Sequence, residues 1–436
     1  VTTTDVISLP DRQRWPDLAT VPRTWLRAAV AAALMRRLAA RVPLRIVSNG
    51  QPRGSSPAGA PVLTLHRPRA FHRRLGARGL IGFAEAYQAG DWDADDLAGL
   101  LSAVGDAVLT PRLRYLRRLG RMRHLTLLRP LLGVRVPPDD ENTVEGARRN
   151  IHHHYDLSND LFANFLDESM TYSSALFDHG PGPTEATSPD LAAAQRRKID
   201  RLLDHAGVGE GTRVLEIGTG WGELAIRAAR RGARVHSITI SVEQRDLALR
   251  RVAEAGVADR VTVDLCDYRL VEPLDDKAYD AILSVEMIEA VGERYWPTYF
   301  ATMDRLLAPG GRVGLQAITM PDDRMRAARR TYTWLQKYIF PGGVIISAEA
   351  IGRVLAAHTG LRVRERYAFG QHYAATLRLW RERFTEKAAA VAALGFDETF
   401  RRTWEFYLAY CEAGFTTGHL DVQQFILDRR SARATT

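Results

Sequence analysis

Two cysteines in 436 residues, Cys266 and Cys411, are too few for a disulfide framework or a zinc finger and suit a reducing, cytoplasmic setting. Long apolar runs are missing too. The best early candidate, Trp25 to Met35, is about half of what a bilayer crossing needs. It is mostly alanine and contains Arg27, so a helix is expected there, neither an anchor nor a signal peptide. Lysine is absent from residues 1–150, which hold 24 arginines against 13 acidic residues. The net charge of +9 therefore belongs to the N-terminal third, and the remainder carries −2. Disorder as the main state is excluded by 46% hydrophobic and 25% charged residues, and the length allows two or three domains. No internal repeat is visible.

What is present begins with "PRLRYLRRLGRMRHLTLLRP", Pro111 to Pro130, with seven arginines and apolar residues every third position from Leu113 to Met122. This reads as a basic amphipathic helix. It is either a solvated face docked by its leucines or a surface for anions, lipid headgroups or nucleic acid, and charge alone does not choose. Upstream, 24–42 is expected to be helical, "LRIVSNG" and "APVLTLHRP" strands, and Leu75 to Val104 helical with Phe83, Tyr87 and Trp92 as anchors. "GVRVPPDDENT", with Pro137 and Pro138, marks a linker. The expected division is an N-terminal domain over 1–132, a linker over 133–149 and a second domain over 150–436.

Beyond the linker, strand and helix alternate. In "GTRVLEIGTGWGELAIRAARRGARVHSITISVEQ", 211–244, Val214 to Ile217 reads as a strand, Gly218, Gly220 and Gly222 as a tight turn, Glu223 to Arg231 as a helix and Val235 to Thr239 as a second strand. Glycines suit a turn where backbone must approach a nucleoside at positive φ. The spacing E-x-G-x-G-x-G differs from the G-x-G-x-x-G of nicotinamide folds. Asp267 follows a third strand, where an adenine amine could be held, and "YDAILSVEMIEAVG" ends a fourth in polar residues. That is the plan of an S-adenosylmethionine-dependent methyltransferase.

"HHHYDLSNDLF", "MTYSSALF", "VLEIGTGWG", "ITISVEQ", "KYIFPGG" and "FGQHYAATLRLWRERF" occur in this order, and together they resemble the cyclopropane fatty acyl phospholipid synthase family and its mycolic-acid-modifying relatives. "GLIGFAEAYQAGDWDADDL" resembles that family's small N-terminal domain, related to sterol-carrier proteins. The fold implied is α/β: a Rossmann-like class I methyltransferase domain with a smaller α+β sterol-carrier-like domain before it. The resemblance makes the His152–His154 segment a lid, with its histidines structural and no metal. Tyr155 would meet the methionine end of the cofactor, and Tyr172 and Ser173 its carboxylate. Gly218, Gly220 and Gly222 would allow backbone approach, Thr239 and Gln244 would hold the ribose, and Asp267 and Tyr268 would lie near the adenine.

The implied reaction is methyl transfer to the cis double bond of an acyl chain in a membrane phospholipid, through a carbocation. Aromatic faces stabilise such a cation, and Tyr172, Phe177, Tyr338, Phe340 and Tyr373 are candidates. The base implied by the family is a bound bicarbonate. Glu289, Tyr373 and the backbone amide of Ile318 match its site; the family's cysteine is Ser174, a histidine is Ala290 and a second histidine is Gln316. Glu286 adds an acidic group three residues before Glu289. Gln316 donates an N–H but carries no proton for exchange. This altered pocket is similar to relatives that make a 10-methylene branch, the precursor of 10-methyl acids, with a cyclopropane product as the alternative. Two other classes are a nucleic-acid methyltransferase, disfavoured because "SVEMIEAVG" stands where an N-P-P-Y-like motif would, and a non-catalytic lipid-binding protein, disfavoured by the complete cofactor motif. The expected setting is a cytoplasmic homo-oligomer at the inner face of an anionic phospholipid membrane, binding no nucleic acid, with a reductase as a further partner.

Overall fold

Short apolar runs in the chain become strands, and amphipathic stretches become the helices that cover them. The computed structural model describes residues 10–430 apart from 49, 54–58, 110–142, 144–145, 147–157, 179–184 and 330. The Arg112–Arg129 stripe, the histidine run, Tyr155 and nearly all of the linker fall outside the described residues.

The chain divides into two compact units. One comprises Val1–Val136, Arg330–Ile339 and Phe384–Thr417; the other comprises Pro137–Arg329, Phe340–Arg383 and Gly418–Thr436. A contiguous second domain over 150–436 is therefore corrected: two of its segments belong with the N-terminal unit. The reason is local. The Glu398–Thr416 helix buries a broad aromatic face, and Arg402 donates to the Tyr87 carbonyl at 2.6 Å and the Trp92 carbonyl at 2.9 Å. Trp334 donates to Gln88 Oε1 at 2.9 Å, and Gln88 donates to Thr403 at 2.8 Å. These buried polar groups are satisfied only by pairing across the three segments.

The first unit holds a four-stranded sheet, β1 (Arg45–Ser48), β2 (Gln51–Arg53), β3 (Val62–Leu65) and β4 (Trp92–Ala94), in the order β2-β1-β3-β4. The single helix expected over Leu75 to Val104 is broken. Gly79, at φ 58, separates Pro68–Arg78 from Leu80–Gln88, and Trp92 begins β4. Gly82 permits the two helices to touch, since a Cβ there would lie 1.9 Å from the Arg74 carbonyl oxygen.

The second unit is built on seven strands: β5 (Arg213–Ile217), β6 (Arg234–Thr239), β7 (Val261–Leu265), β8 (Tyr279–Val285), β9 (Leu307–Thr319), β10 (Leu361–Ala368) and β11 (Asp421–Arg429). Their order is β10-β11-β9-β8-β5-β6-β7. β5 to β9 pair in parallel, whereas β11 runs antiparallel between β9 and β10. Apolar cores lie on both faces, which is why β5 is buried at every position from Val214 to Ile217 rather than at alternate ones. The Asp190–Ala206 helix buries Leu191 and Ala194 and places Ile199, Leu202 and Leu203 in one of these cores, each buried leucine contributing about 1.5–3 kcal/mol. The chain turns to opposite sides after β5, so a crevice opens at the carboxyl ends of β5 and β8, the switch point of the sheet.

Candidate active site

At the end of β5 the backbone takes positive φ at Gly218 (98°) and Gly220 (52°). A Cβ on Gly218 would stand 2.4 Å from Met287 Cγ, whereas a Cβ on Gly220 would meet open space. Both glycines line a cleft together with Tyr172, Ser173, Thr239, Gln244, Asp267 and Tyr268. Residues expected from four separate parts of the sequence to hold the cofactor are thus brought to one place. Gly222 is different: its Cβ would lie 3.2 Å from that of Ala248, so this glycine serves the approach of two helices and does not line the cleft.

The walls are prearranged by hydrogen bonds. Thr239 Oγ1 donates to Gln244 Oε1 at 3.0 Å, and Ser241 caps the following helix by accepting from the Gln244 N–H at 3.2 Å. The Asp267 carboxylate receives the Arg269 guanidinium through both oxygens, at 2.8 and 2.6 Å. Tyr268 has a buried hydroxyl without a partner among the described residues, and burial pushes it up to about 12. Glu216, which sequence reasoning noted only as part of the spacing, is fully enclosed next to Ser237 Oγ at 2.5 Å, and burial pushes its carboxyl up to about 8. Tyr172 stacks on Trp380 at 5.3 Å, a partner not anticipated from the sequence.

Deeper in the unit lies an acidic pocket. Glu286 closes β8 with φ at 50°, a conformation that costs a non-glycine residue about 1–2 kcal/mol. Its Oε1 accepts from the Ser174 N–H at 2.9 Å and from Gln316 Nε2 at 2.8 Å, and its Oε2 accepts from the Tyr373 hydroxyl at 2.7 Å. Sheet register puts Gln316 there, because β9 pairs Gln316 with Val285. Gln424 on β11 donates to Gln316 Oε1 at 3.1 Å, which turns the amide so that its N–H faces Glu286. The Ser174 hydroxyl donates to the Ala175 carbonyl at 3.0 Å, leaving the Ser174 backbone N–H as the group directed at Glu286.

Glu289 stands beside this pocket. Its Oε1 accepts from the Ile318 N–H at 2.5 Å, and its buried Oε2 has no partner among the described residues. Burial, and then the charge of Glu286, push its carboxyl up to about 8. Burial also raises Glu286, while Lys198 and the donors oppose that rise. Lys198 is one of four lysines in the chain and is fully buried. It donates to Ser173 Oγ at 2.5 Å, and burial pulls it down to about 8 against the charges of Glu286 and Asp167. Sequence reasoning missed it, although a lysine on the apolar stripe between Ala194 and Leu202 is a legible signal. Tyr373 packs edge-on against Trp380 at 6.1 Å. Phe177 lies parallel to His372 at 6.2 Å. Tyr338 falls in the first unit, where its hydroxyl donates to Glu85 at 2.9 Å.

A largely parallel sheet with a glycine turn at its switch point, Asp267 beyond β7 and Glu286 at the end of β8 defines a class I S-adenosylmethionine-dependent methyltransferase. Comparison with known proteins agrees. Residues 143–425 match the family model described as mycolic acid cyclopropane synthetase. The chain is 54% identical, over 96% of its length and 96% of the relative's, to the tuberculostearic acid methyltransferase UfaA1 of Mycobacterium tuberculosis. It is 32% identical to the cyclopropane-fatty-acyl-phospholipid synthase of Escherichia coli K12, over 86% of this chain and 89% of that one. The structure of mycolic acid cyclopropane synthase CmaA1 complexed with SAH and CTAB superposes with a TM-score of 0.57 at 29% identity, covering 64% of this chain and 97% of that one. The chain belongs to the mycolic acid cyclopropane synthetase family, and it is an S-adenosylmethionine-dependent C-methyltransferase.

Proposed function

We propose that this enzyme methylates the cis double bond of an unsaturated acyl chain in a membrane phospholipid and releases a 10-methylene-branched chain. The observation that carries this reading is the adjacency of the cofactor cleft to the buried pocket of Glu286, Glu289, Gln316 and Tyr373, since Glu286 lines the cleft itself. S-adenosylmethionine, when bound along Gly218, Gly220 and Asp267, supplies an electrophilic sulfonium methyl. The chain's own residues do the rest. The Tyr172 ring lines the cleft, backed by Trp380, and an aromatic face tolerates a cation without trapping it, and buried carboxylates accept the proton that the cation must lose. The close likeness to UfaA1 favours the methylene product over ring closure. A methylene becomes a methyl branch only on addition of a hydride and a proton, so a reductase is the partner this chemistry calls for.

The acyl chain has to be reached at a membrane surface. No described helix is long and apolar enough to cross one. The Trp25–Ala39 helix instead leaves Trp25, Leu26 and Val30 exposed at 71%, 62% and 51%, beside exposed Arg23, Arg27, Arg36 and Arg37. Apolar side chains amid cations suit insertion among anionic headgroups. The test is transfer of labelled methyl to vesicles of unsaturated phospholipid, with nucleic acid as control, followed by proton NMR of the isolated fatty ester. Vinylidene signals are expected; high-field cyclopropane signals would establish ring closure instead.

A further inference from the structure

We infer that the Glu286 carboxylate is the resident proton acceptor of this enzyme and stands where relatives are expected to bind bicarbonate. The inference rests on the proposed reaction and identifies its base. The resemblance assigns the anion Glu289, the Tyr373 hydroxyl and the Ile318 amide, with Ser174 and Gln316 at two further positions of its site. In this structure the Ser174 N–H, the Gln316 amide and the Tyr373 hydroxyl are directed at Glu286, at 2.9, 2.8 and 2.7 Å, and the Ile318 amide at Glu289, at 2.5 Å. Glu286, the acidic group added to that site, takes three of its donors, so bicarbonate does not fit beside it.

Three further features agree. The positive φ of Glu286 swings its side chain into that donor set, a conformation maintained against strain. Lys198 is buried nearby and supplies the counter-charge. A carboxylate has about four accepting positions; three are filled here, which leaves one on Oε2 for a proton. A 1,2-hydride shift first moves the cation onto the carbon that carries the new methyl, and in the proton-transfer step a C–H bond of that methyl then breaks. Its electron pair becomes the second bond of the exocyclic methylene and discharges the cation, and the proton forms an O–H bond on Glu286. A base fixed to the end of β8 cannot relocate as a free anion can.

The test combines binding with turnover. Titration of the whole protein with carbon-13 bicarbonate, followed by NMR, should show no saturable binding to the wild type and saturable binding to Glu286→Ala. Turnover by the wild type should be unchanged in carbon-dioxide-free buffer. Glu286→Gln, which keeps the shape and one acceptor oxygen, should lose about 100-fold or more in turnover while calorimetry shows unchanged affinity for S-adenosylhomocysteine. Saturable bicarbonate binding to the wild type, or loss of its turnover when carbon dioxide is removed, would overturn the assignment. So would wild-type turnover in Glu286→Gln. If the wild type labels no lipid, the proposed function fails, while the bicarbonate titration still decides what occupies the donor set.

Discussion

The Tyr373 hydroxyl donates to Glu286 Oε2 at 2.7 Å, joining residues 87 positions apart. Because the bond stabilises the charged carboxylate, Tyr373→Phe should raise the Glu286 pKa further. Hydrogen bonds to charged groups are worth about 1.5–3 kcal/mol, so turnover should fall roughly 10- to 100-fold with KM little changed. Lys198, Gln316, the Ser174 amide and Glu289 still surround Glu286 in the variant. Steady-state kinetics against pH would show the acid limb of the profile displaced upward, and an unmoved limb would contradict the role.

Two glycines of one turn should behave differently. Gly220→Val projects a branched side chain into open cleft space, so calorimetry should show lost binding of S-adenosylmethionine by a folded protein. Gly222→Ala meets Ala248 at 3.2 Å, at a positive φ, and should lower stability by about 1–3 kcal/mol. Thermal unfolding beside calorimetry separates the two, and equal losses of affinity would argue against the division of roles.

Glu289 offers a stability test. Its folded-state pKa, pushed up to about 8, lies above the ordinary value of 4.5. Folding therefore favours its protonated form. That contribution is complete below the unfolded pKa and is lost as pH rises through about 8. Glu289→Gln imitates the protonated group at every pH, so its Tm relative to wild type should climb between about pH 5 and pH 8. A constant difference across that window would mean the carboxyl is charged throughout.

Replacing Trp25 and Leu26 together by alanine removes exposed side chains from the Trp25–Ala39 helix. Sedimentation with anionic vesicles should fall at least several-fold, whereas Tm should move little, because surface changes typically matter by about 0.5 kcal/mol or less. Added salt should weaken the wild type as well. Unchanged sedimentation would return the helix to a plain surface role.

The cofactor side of the site was legible because each part is local. Gly218 and Gly220 advertise a turn, Thr239 and Gln244 flank one strand-to-helix junction, and Asp267 ends a strand. The acidic pocket was less so. Glu286 was visible as an extra acid near Glu289, but its contacts come from a loop at Ser174, a neighbouring strand at Gln316 and a helix at Tyr373. The break of the early helix at Gly79 and the start of β4 at Trp92 depend on tertiary packing, since Gly82 lets two helices touch and Trp92 pairs with Leu65 of β3.

Local periodicity, turn chemistry and residue spacing thus determined the methyltransferase plan and most of the cofactor cleft, since each depends on interactions within a few residues. Tertiary structure alone decided that residues 384–417 pack with the N-terminal unit, that Lys198 is buried, and that Glu286 receives the donors expected to hold a free anion. Those outcomes depend on sheet register and on buried polar groups finding partners far along the chain. Neither is encoded in the period of any single segment.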